Sequence, residues 1–548
     1  MLDTPLKTAT SLQPFIMNFS AKTIPYQQTG HFSGIITEYL NGNDFLRQFY
    51  EHPVSYAGLE ASMHERENFA TDRPLLVKSL EEQYSGLTIH VPVVKNINSL
   101  SDKNTFTITT AHQPAIFTGS LYFIYKILHV IKMADVLSQR FPDKHFVPVF
   151  YMGSEDADLD ELGNIYLGNE KLVWDTRQTG AVGRMHTEGL EKIIHRIEGE
   201  FAGHAFGPEL IQLLMDCYLN SENIQQATLK LLHHLFGSYG LIVLIPDNRL
   251  LKSVMRGVFK DDMTSHIPFK ITEENVKRLS EKYPVQANPR EINLFYLKDD
   301  MRERLDFRDD RFVVHNTQIR FRPEEMEREL ANFPERFSPN VILRGLYQET
   351  ILPNIAFVGG GGETSYWLEF KPLFKHYRVP FPVLILRNSF LLIRKNWRNK
   401  IEKAGLTDES LFKPEEELME SFVRRNSSHQ LNLEKQMAEL SHFYSSVKSI
   451  SGTVDKTLEQ HVEKLETQAL QKLEELEKKM LRAEKKNHEE VRRKIHEIRE
   501  ALFPMENLQE RMDNFIPWYA EYGKAFLEVI YQNSLALQQE FTILEENN

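Results

Sequence analysis

The sequence predicts an α/β protein with a Rossmann-type doubly wound parallel sheet core, two inserted subdomains and a C-terminal antiparallel coiled-coil helical domain. Three observations carry this prediction. A strand, a glycine-containing turn, a helix and a second strand follow one another between Thr105 and Glu161. The same order returns between Val341 and Leu386. Between Gly452 and Pro504 there is neither glycine nor proline, and apolar residues recur at three or four.

In the first unit, Phe106 to Thr110 is a β-rich run and Thr118-Gly119-Ser120 supplies a flexible turn and a helix N-cap. Leu121, Ile124, Leu128 and Ile131 then mark one apolar helical face, ended by Pro142. Phe146 to Met152 is strand-like despite Pro148. Asn164 to Arg184 reads as strands and turns, and Leu190 to Glu200 and Pro208 to Phe236 as helix. Leu241 to Pro246 has the continuous apolar character of a strand covered on both faces. Pro268 to Arg322 is dense in charge with short alternating strands, and reads as a second insertion. The core resumes with a strand at Ile355 to Val358, a four-glycine turn at Gly359 to Gly362, a helix from Glu363 to Tyr377 and a strand at Pro382 to Leu386. Beyond Glu415 all is helical. The ~50 residues before Pro504 would reach about 75 Å unbroken, with Phe422 to Val447 folded back on them through Ser449 to Gly452. Leu465, Leu473 and Leu476 are expected to be buried against that partner or a second chain. The boundaries that follow are 1–163, 224–265 and 338–400 for the core, 164–223 and 266–337 for the insertions, and 401–548 for the helical domain.

Composition narrows the function. A net charge of −12 over 548 residues argues against nucleic acid as main partner, since phosphate-backbone binding needs a basic face. One cysteine, Cys217, rules out an internal disulfide and any CxxC site; its apolar neighbours predict a buried structural thiol. No run reaches the ~18 apolar residues that span a bilayer, and the N-terminus lacks a leader pattern, so a soluble, cytoplasmic protein is expected.

In an open parallel sheet the ligand site lies beyond the carboxyl ends of the strands. Those ends carry His112, Gln113, Thr118, Gly119 and Ser120 in the first unit, then Glu155, Asp156 and Asp158. In the second they carry Gly359, Gly360, Gly361 and Gly362, then Arg387 and Asn388. Glycines before a helix let backbone N–H groups approach an anion, although a plain tight turn has the same spacing. Glu155 and Asp156, nearest the strand end, could hold an amine, a ribose or a magnesium ion or accept a proton, whereas Glu161 is expected to be remote. A solvated loop fits the same acidic run. His112 could hydrogen-bond a phosphate or be a satisfied turn histidine. The expected catalytic residues are Glu155, Asp156 and His112, the others bind substrate or nucleotide, and no residue is assigned to a metal. The two glycine turns should share one sheet edge.

The segments TITTAHQPAIFTGSLYFIYK (107–126), VPVFYMGSEDADLDE (147–161), NVILRGLYQETILPNIAFVGGGGETSYWLEFKPLF (340–374) and ALFPMENLQER (501–511) resemble the BshC family, the proposed cysteine-adding enzyme of bacillithiol biosynthesis. One departure is clear: the family reads Gly-Gln-Gln where this chain has Ala111-His112-Gln113. The resemblance implies a ligase that joins L-cysteine to the amine of glucosaminyl-malate through an amide bond. A Rossmann-type nucleotide site suggests carboxyl activation by ATP or another nucleotide, with magnesium as an optional companion. A homodimer is the expected assembly. Two other readings stay open: a nucleotide-binding coiled-coil scaffold without catalysis, and a nucleotidyltransferase-like ligase for another small acid and amine.

Overall fold

The computed structural model describes residues 19–547; the expected absence of a leader concerns residues 1–18 and lies outside the described residues. The core is a five-stranded sheet of β1 (Thr105–His112), β2 (His145–Met152), β3 (Ile242–Leu244), β4 (Asn354–Gly359) and β5 (Val383–Leu386). Its order is β5-β4-β1-β2-β3, with all neighbours parallel. The chain steps outward from β1 in one direction through β2 and β3, then returns and steps outward in the other through β4 and β5. The reversal puts the topological switch point between β1 and β4, as a doubly wound sheet requires.

Two features of the strands look wrong for a central position and are compensated locally. β1 alternates Thr with apolar residues, as a half-solvated strand would, yet Thr105 to Thr110 are all buried. The hydroxyls of Thr107 and Thr109 donate to Asn354 Oδ1 at 3.2 and 2.8 Å, and Thr110 donates to the Val358 carbonyl at 2.8 Å. These bonds remove the cost of burying the hydroxyls. Pro148 lies inside β2, but β3 begins to pair only at Val149. The missing N–H therefore falls where one strand edge is still open.

The chain divides into two compact units, one of residues 31–391 with 508–547 and most of the N-terminal stretch, the other chiefly 392–507. Both insertions belong to the first. One holds the strand pair Asn164–Leu167 and Glu170–Val173 and the helices Leu190–Phe201 and Gly207–Tyr218. The other holds an antiparallel sheet that includes Leu294–Lys298, Met301–Arg308 and Arg311–Val314. The last forty residues cluster with the first unit, where Phe541–Glu546 pairs antiparallel with Phe19–Ile24.

The second unit is built around a helical hairpin, Glu434–Val454 against Thr457–Lys486. The turn lies at Asp455–Lys456, not at Ser449 to Gly452. Asp455 accepts the Thr457 N–H at 2.8 Å and opens the second helix. Gly452 lies in the last turn of the first helix, beside the Glu459 side chain of the second. The long helix also ends early, at Lys486, and restarts as Glu489–Leu502. Within the chain Val462 and Leu481 are buried, whereas Leu465 and Leu476 are 40% and 46% exposed. The expected burial of the latter two inside the hairpin does not hold. Among the described residues no helix is long and apolar enough to cross a membrane.

Candidate active site at the switch point

A cavity of 460 Å³ opens at the carboxyl edge of the sheet, between the ends of β1, β2 and β4. Ala111, His112 and Gln113 reach it from β1, Gly153, Asp156 and Glu161 from the segment after β2, and Gly360, Gly361, Gly362 and Glu363 from the turn after β4. Arg387, beyond β5, and Arg344, Tyr366, Gln286 and Arg511 complete the polar lining with Lys126 and Tyr122 of the helix Tyr122–Arg140. Four cations thus face three carboxylates, in a chain whose net charge is −12.

The geometry assigns His112 a specific state. Its Nδ1 is 2.9 Å from the Gln113 carbonyl, which can only accept, so Nδ1 carries the proton. Burial, with Lys126 close by, pushes its pKa down to about 4 and keeps the ring neutral. Nε2 is then a bare acceptor and takes the Tyr122 O–H at 2.9 Å. In this tautomer His112 orients Tyr122 and has no second N–H to offer a phosphate. The turn that follows is strained, with Phe117, Thr118 and Gly119 at positive φ. The long helix starts only at Tyr122, and Ser120 is not its N-cap but donates to the Arg511 carbonyl at 2.8 Å.

The acidic segment separates unlike roles. Glu155 does not line the cavity; it is buried against Lys252, a fully buried lysine that also lies 3.6 Å from Asp247. Burial raises the Glu155 pKa, against the opposing pull of Lys252. Asp156 does face the cavity, where Gln113 Nε2 donates to it at 3.2 Å and Arg344 stands 3.6 Å away. Burial opposes its ionisation, yet Arg344, Arg302 and the Gln113 hydrogen bond outweigh that and hold its pKa below the ordinary value. Asp158 caps the short helix Leu159–Leu162 by accepting the Glu161 N–H at 3.1 Å. That helical turn curls Glu161 back over the site. Glu161, expected to be remote, is a lining residue, and its pKa is raised by burial and by Asp158 and Asp156.

At the glycine turn none of the four residues has positive φ; space demands glycine only at the first position. A Cβ on Gly359 would fall 2.8 Å from the Phe357 ring, whereas Gly362 faces open space. Gly359 itself ends β4 and does not line the cavity. The following helix is shorter than the sequence suggests, Gly361–Trp367, because Pro372 starts a new one, Lys371–Tyr377. Glu363 accepts the Gly360 N–H at 2.7 Å and pairs with Lys126 at 2.5 Å; Lys126 also donates to the Ala111 carbonyl. A carboxylate of the chain therefore occupies the first amide of the turn. Arg387 is buried and paired with Glu510 at 2.7 Å, while Asn388 and Thr118 are buried off the cavity. Gly119 and Ser120 line a smaller adjoining cavity. The two glycine turns share one sheet edge but not one cavity.

Sequence reasoning passed over Arg344, Tyr122, Tyr366, Glu363, Gln286 and Arg511 as site residues. Arg344, Glu363 and Arg511 lie within the long motifs quoted above, so the signal was present without a spacing rule to extract it. Cys217 is buried, and burial pushes its thiol up to about 12. Among the described residues no three His, Cys, Asp or Glu side chains converge as a metal site.

Residues 19–388 match the family described as "Bacillithiol biosynthesis BshC, N-terminal Rossmann-like domain", and residues 390–546 match its "C-terminal coiled-coil domain". A relative from Flavobacterium johnsoniae is 36% identical over 523 residues, covering 95% of this chain and 99% of the relative. One from Flavobacterium psychrophilum is 37% identical over 525 residues with the same coverage, and one from Bacillus cytotoxicus 23% identical over 516 residues, 91% of this chain and 96% of the relative. Each bears the name "Putative cysteine ligase BshC". With both domains matched in sequence order across nearly the whole chain, the protein belongs to the BshC family.

Proposed function

We propose that the chain is a cytoplasmic ligase that forms the amide bond between the carboxyl group of L-cysteine and the amine of glucosaminyl-malate, after nucleotide-dependent activation of that carboxyl. The observation that supports this most is the mixed charge of the switch-point cavity. A carboxylic acid and a polyphosphate need cations, an amine needs a carboxylate, and Lys126, Arg344, Arg387 and Arg511 meet Asp156 and Glu161 in one space. The residues fit a nucleotide in part: the open side of Gly362 leaves room for an anion, and Arg511 makes no ion pair among the described residues. Glu363 works against it by holding the Gly360 amide. The nucleotide, with magnesium as its counter-ion, would supply the leaving group that activates the cysteine carboxyl. Arg344 orients Asp156, His112 orients Tyr122, and Asp156, kept ionised by Arg344, holds a substrate ammonium. The assembly proposed is a homodimer, supported by apolar residues left exposed on the helical hairpin.

The test is cysteine addition by the purified chain supplied with L-cysteine, glucosaminyl-malate, magnesium and ATP or another nucleoside triphosphate, followed by mass spectrometry. Asp156→Asn should cut turnover about ten- to a hundredfold, the effect of losing a charge-assisted contact of roughly 1.5–3 kcal/mol, with the melting temperature nearly unchanged. Absence of product from the wild-type chain with every nucleotide would overturn the reading and favour the scaffold.

A further inference from the structure

A second cavity, of 300 Å³, lies against the first. His112, Tyr122, Glu161 and Arg511 line both, so these four side chains are the wall between them. The smaller cavity differs in character. Apart from the shared Arg511 it contains no cation, and the residues it does not share include the polar Ser120 and Asn164 beside Ala115, Leu162, Ile165 and Tyr166. Neutral hydroxyl and amide groups beside apolar and aromatic side chains, with a single cation, suit a hydroxylated ring better than a phosphate chain. The wall itself offers two unlike charges. Neither Glu161 nor Arg511 makes an ion pair among the described residues, and Glu161 stands in an acidic neighbourhood of Asp156 and Asp158 that favours a cation.

We propose that the smaller cavity is the acceptor subsite: it takes a hydroxylated ring amine whose ammonium group meets Glu161 and whose acidic arm meets Arg511, while the larger cavity takes the acid that is activated. The assignment rests on the ligase reading above and adds the place and orientation of the second substrate. The ammonium gives one proton to the Glu161 carboxylate, which frees the nitrogen lone pair. The C–N bond forms as the bond from the carbonyl carbon to the leaving oxygen breaks. The electron pair departs on the oxygen of the nucleotide-derived leaving group, and the second amine proton passes to solvent. Glu161, with its raised pKa, is better matched to accepting that proton than the strongly ionised Asp156.

Calorimetric titration of the full chain with glucosaminyl-malate, with D-glucosamine, which lacks the acidic arm, and with ATP and magnesium separates the possibilities. Ala115 and Tyr166 line only the smaller cavity. Ala115→Leu fills it and Tyr166→Ala removes a wall; either should weaken glucosaminyl-malate at least tenfold and leave ATP within twofold. Tyr166 is half-exposed, so that variant carries the test if Ala115→Leu fails to fold. Arg511→Gln should weaken glucosaminyl-malate but not D-glucosamine. Unchanged aminosugar affinity in both cavity variants overturns the subsite while the ligase reading stands, and loss of ATP alone hands the cavity to the nucleotide. A wild-type chain that binds ATP but no aminosugar overturns the ligase reading and the subsite with it.

Discussion

Replacing Glu155 by Gln removes the charge that faces Lys252 while leaving the lysine where water cannot reach it. Breaking a buried pair from one side costs roughly 3–5 kcal/mol because the remaining charge has no compensation; Asp247, 3.6 Å from Lys252, supplies some, so the lower end, about 3 kcal/mol, is expected. Urea unfolding should show this loss. Asp156→Asn, one position along, should leave the midpoint nearly in place and lower turnover. Glu155 and Asp156 are indistinguishable in sequence because both follow β2; which one turns under the sheet depends on Lys252, about a hundred residues away. His112 makes a separate prediction at this scale. Its folded pKa, about 4, lies below the ordinary 6.5. Between those values the unfolded chain binds more protons, so stability rises with pH across that window and falls as acid is added. His129, also pushed to about 4 by burial, acts in the same sense. His112→Gln should therefore make the melting temperature less steep between pH 4 and 6.5, and Gln retains an acceptor for Tyr122.

Among elements, the irregular stretch between the helix Ile267–Leu279 and the strand Leu294–Lys298 is held at its middle and its end by buried carboxylates that accept from its amides. Glu369 accepts the N–H groups of Gln286 and Ala287 at 2.8 and 3.1 Å, and Asp262 accepts the N–H and side-chain amide of Asn293 at 2.6 and 2.9 Å. Burial outweighs these donors and pushes both carboxyls up to about 7. The folded state then binds more protons than the unfolded between the usual carboxyl range and pH 7, so stability present in acid is lost as the pH rises through 7. Glu369→Gln should flatten that decline, and because Gln286 lines the larger cavity, limited proteolysis should cut more readily near residue 286. None of this was legible beforehand: an isolated Glu in a helix-rich stretch carries no sign that it caps a loop eighty residues earlier. The sheet was legible, because strand, glycine and helix follow in order within thirty residues twice over. The cavity's outer wall was not, since Gln286, Arg344 and Arg511 come from segments that meet the strand ends only in three dimensions.

For the whole molecule, the hairpin of the second unit carries more apolar surface than its own packing uses. Phe443, Ile450 and Val454 on one helix are 61%, 66% and 79% exposed, and Leu458, Leu465 and Leu476 on the other 39%, 40% and 46%. The spacings are seven and four, then seven and eleven, each close to a whole number of turns at 3.6 residues per turn. The second helix thus carries an apolar edge beside its buried Val462, and the first, which buries none of its residues fully, carries an exposed apolar stripe. The hairpin periodicity was readable from sequence, but periodicity does not say how deeply each apolar residue is covered: Leu458 and Leu465 flank Val462 at four and three residues, and with Leu476 they form the exposed edge of its face. Exposed stripes of this kind mark association surfaces, and a second copy of the same hairpin offers stripes of matching length. Light scattering on the full chain should therefore give twice the chain mass. Leu465→Glu with Leu476→Glu should yield a folded monomer, because both side chains already reach solvent at the edge of the hairpin face, whereas Val462→Glu, at a buried position, should lower helicity by disturbing the hairpin. A double variant that remains dimeric would remove the stripe from the interface.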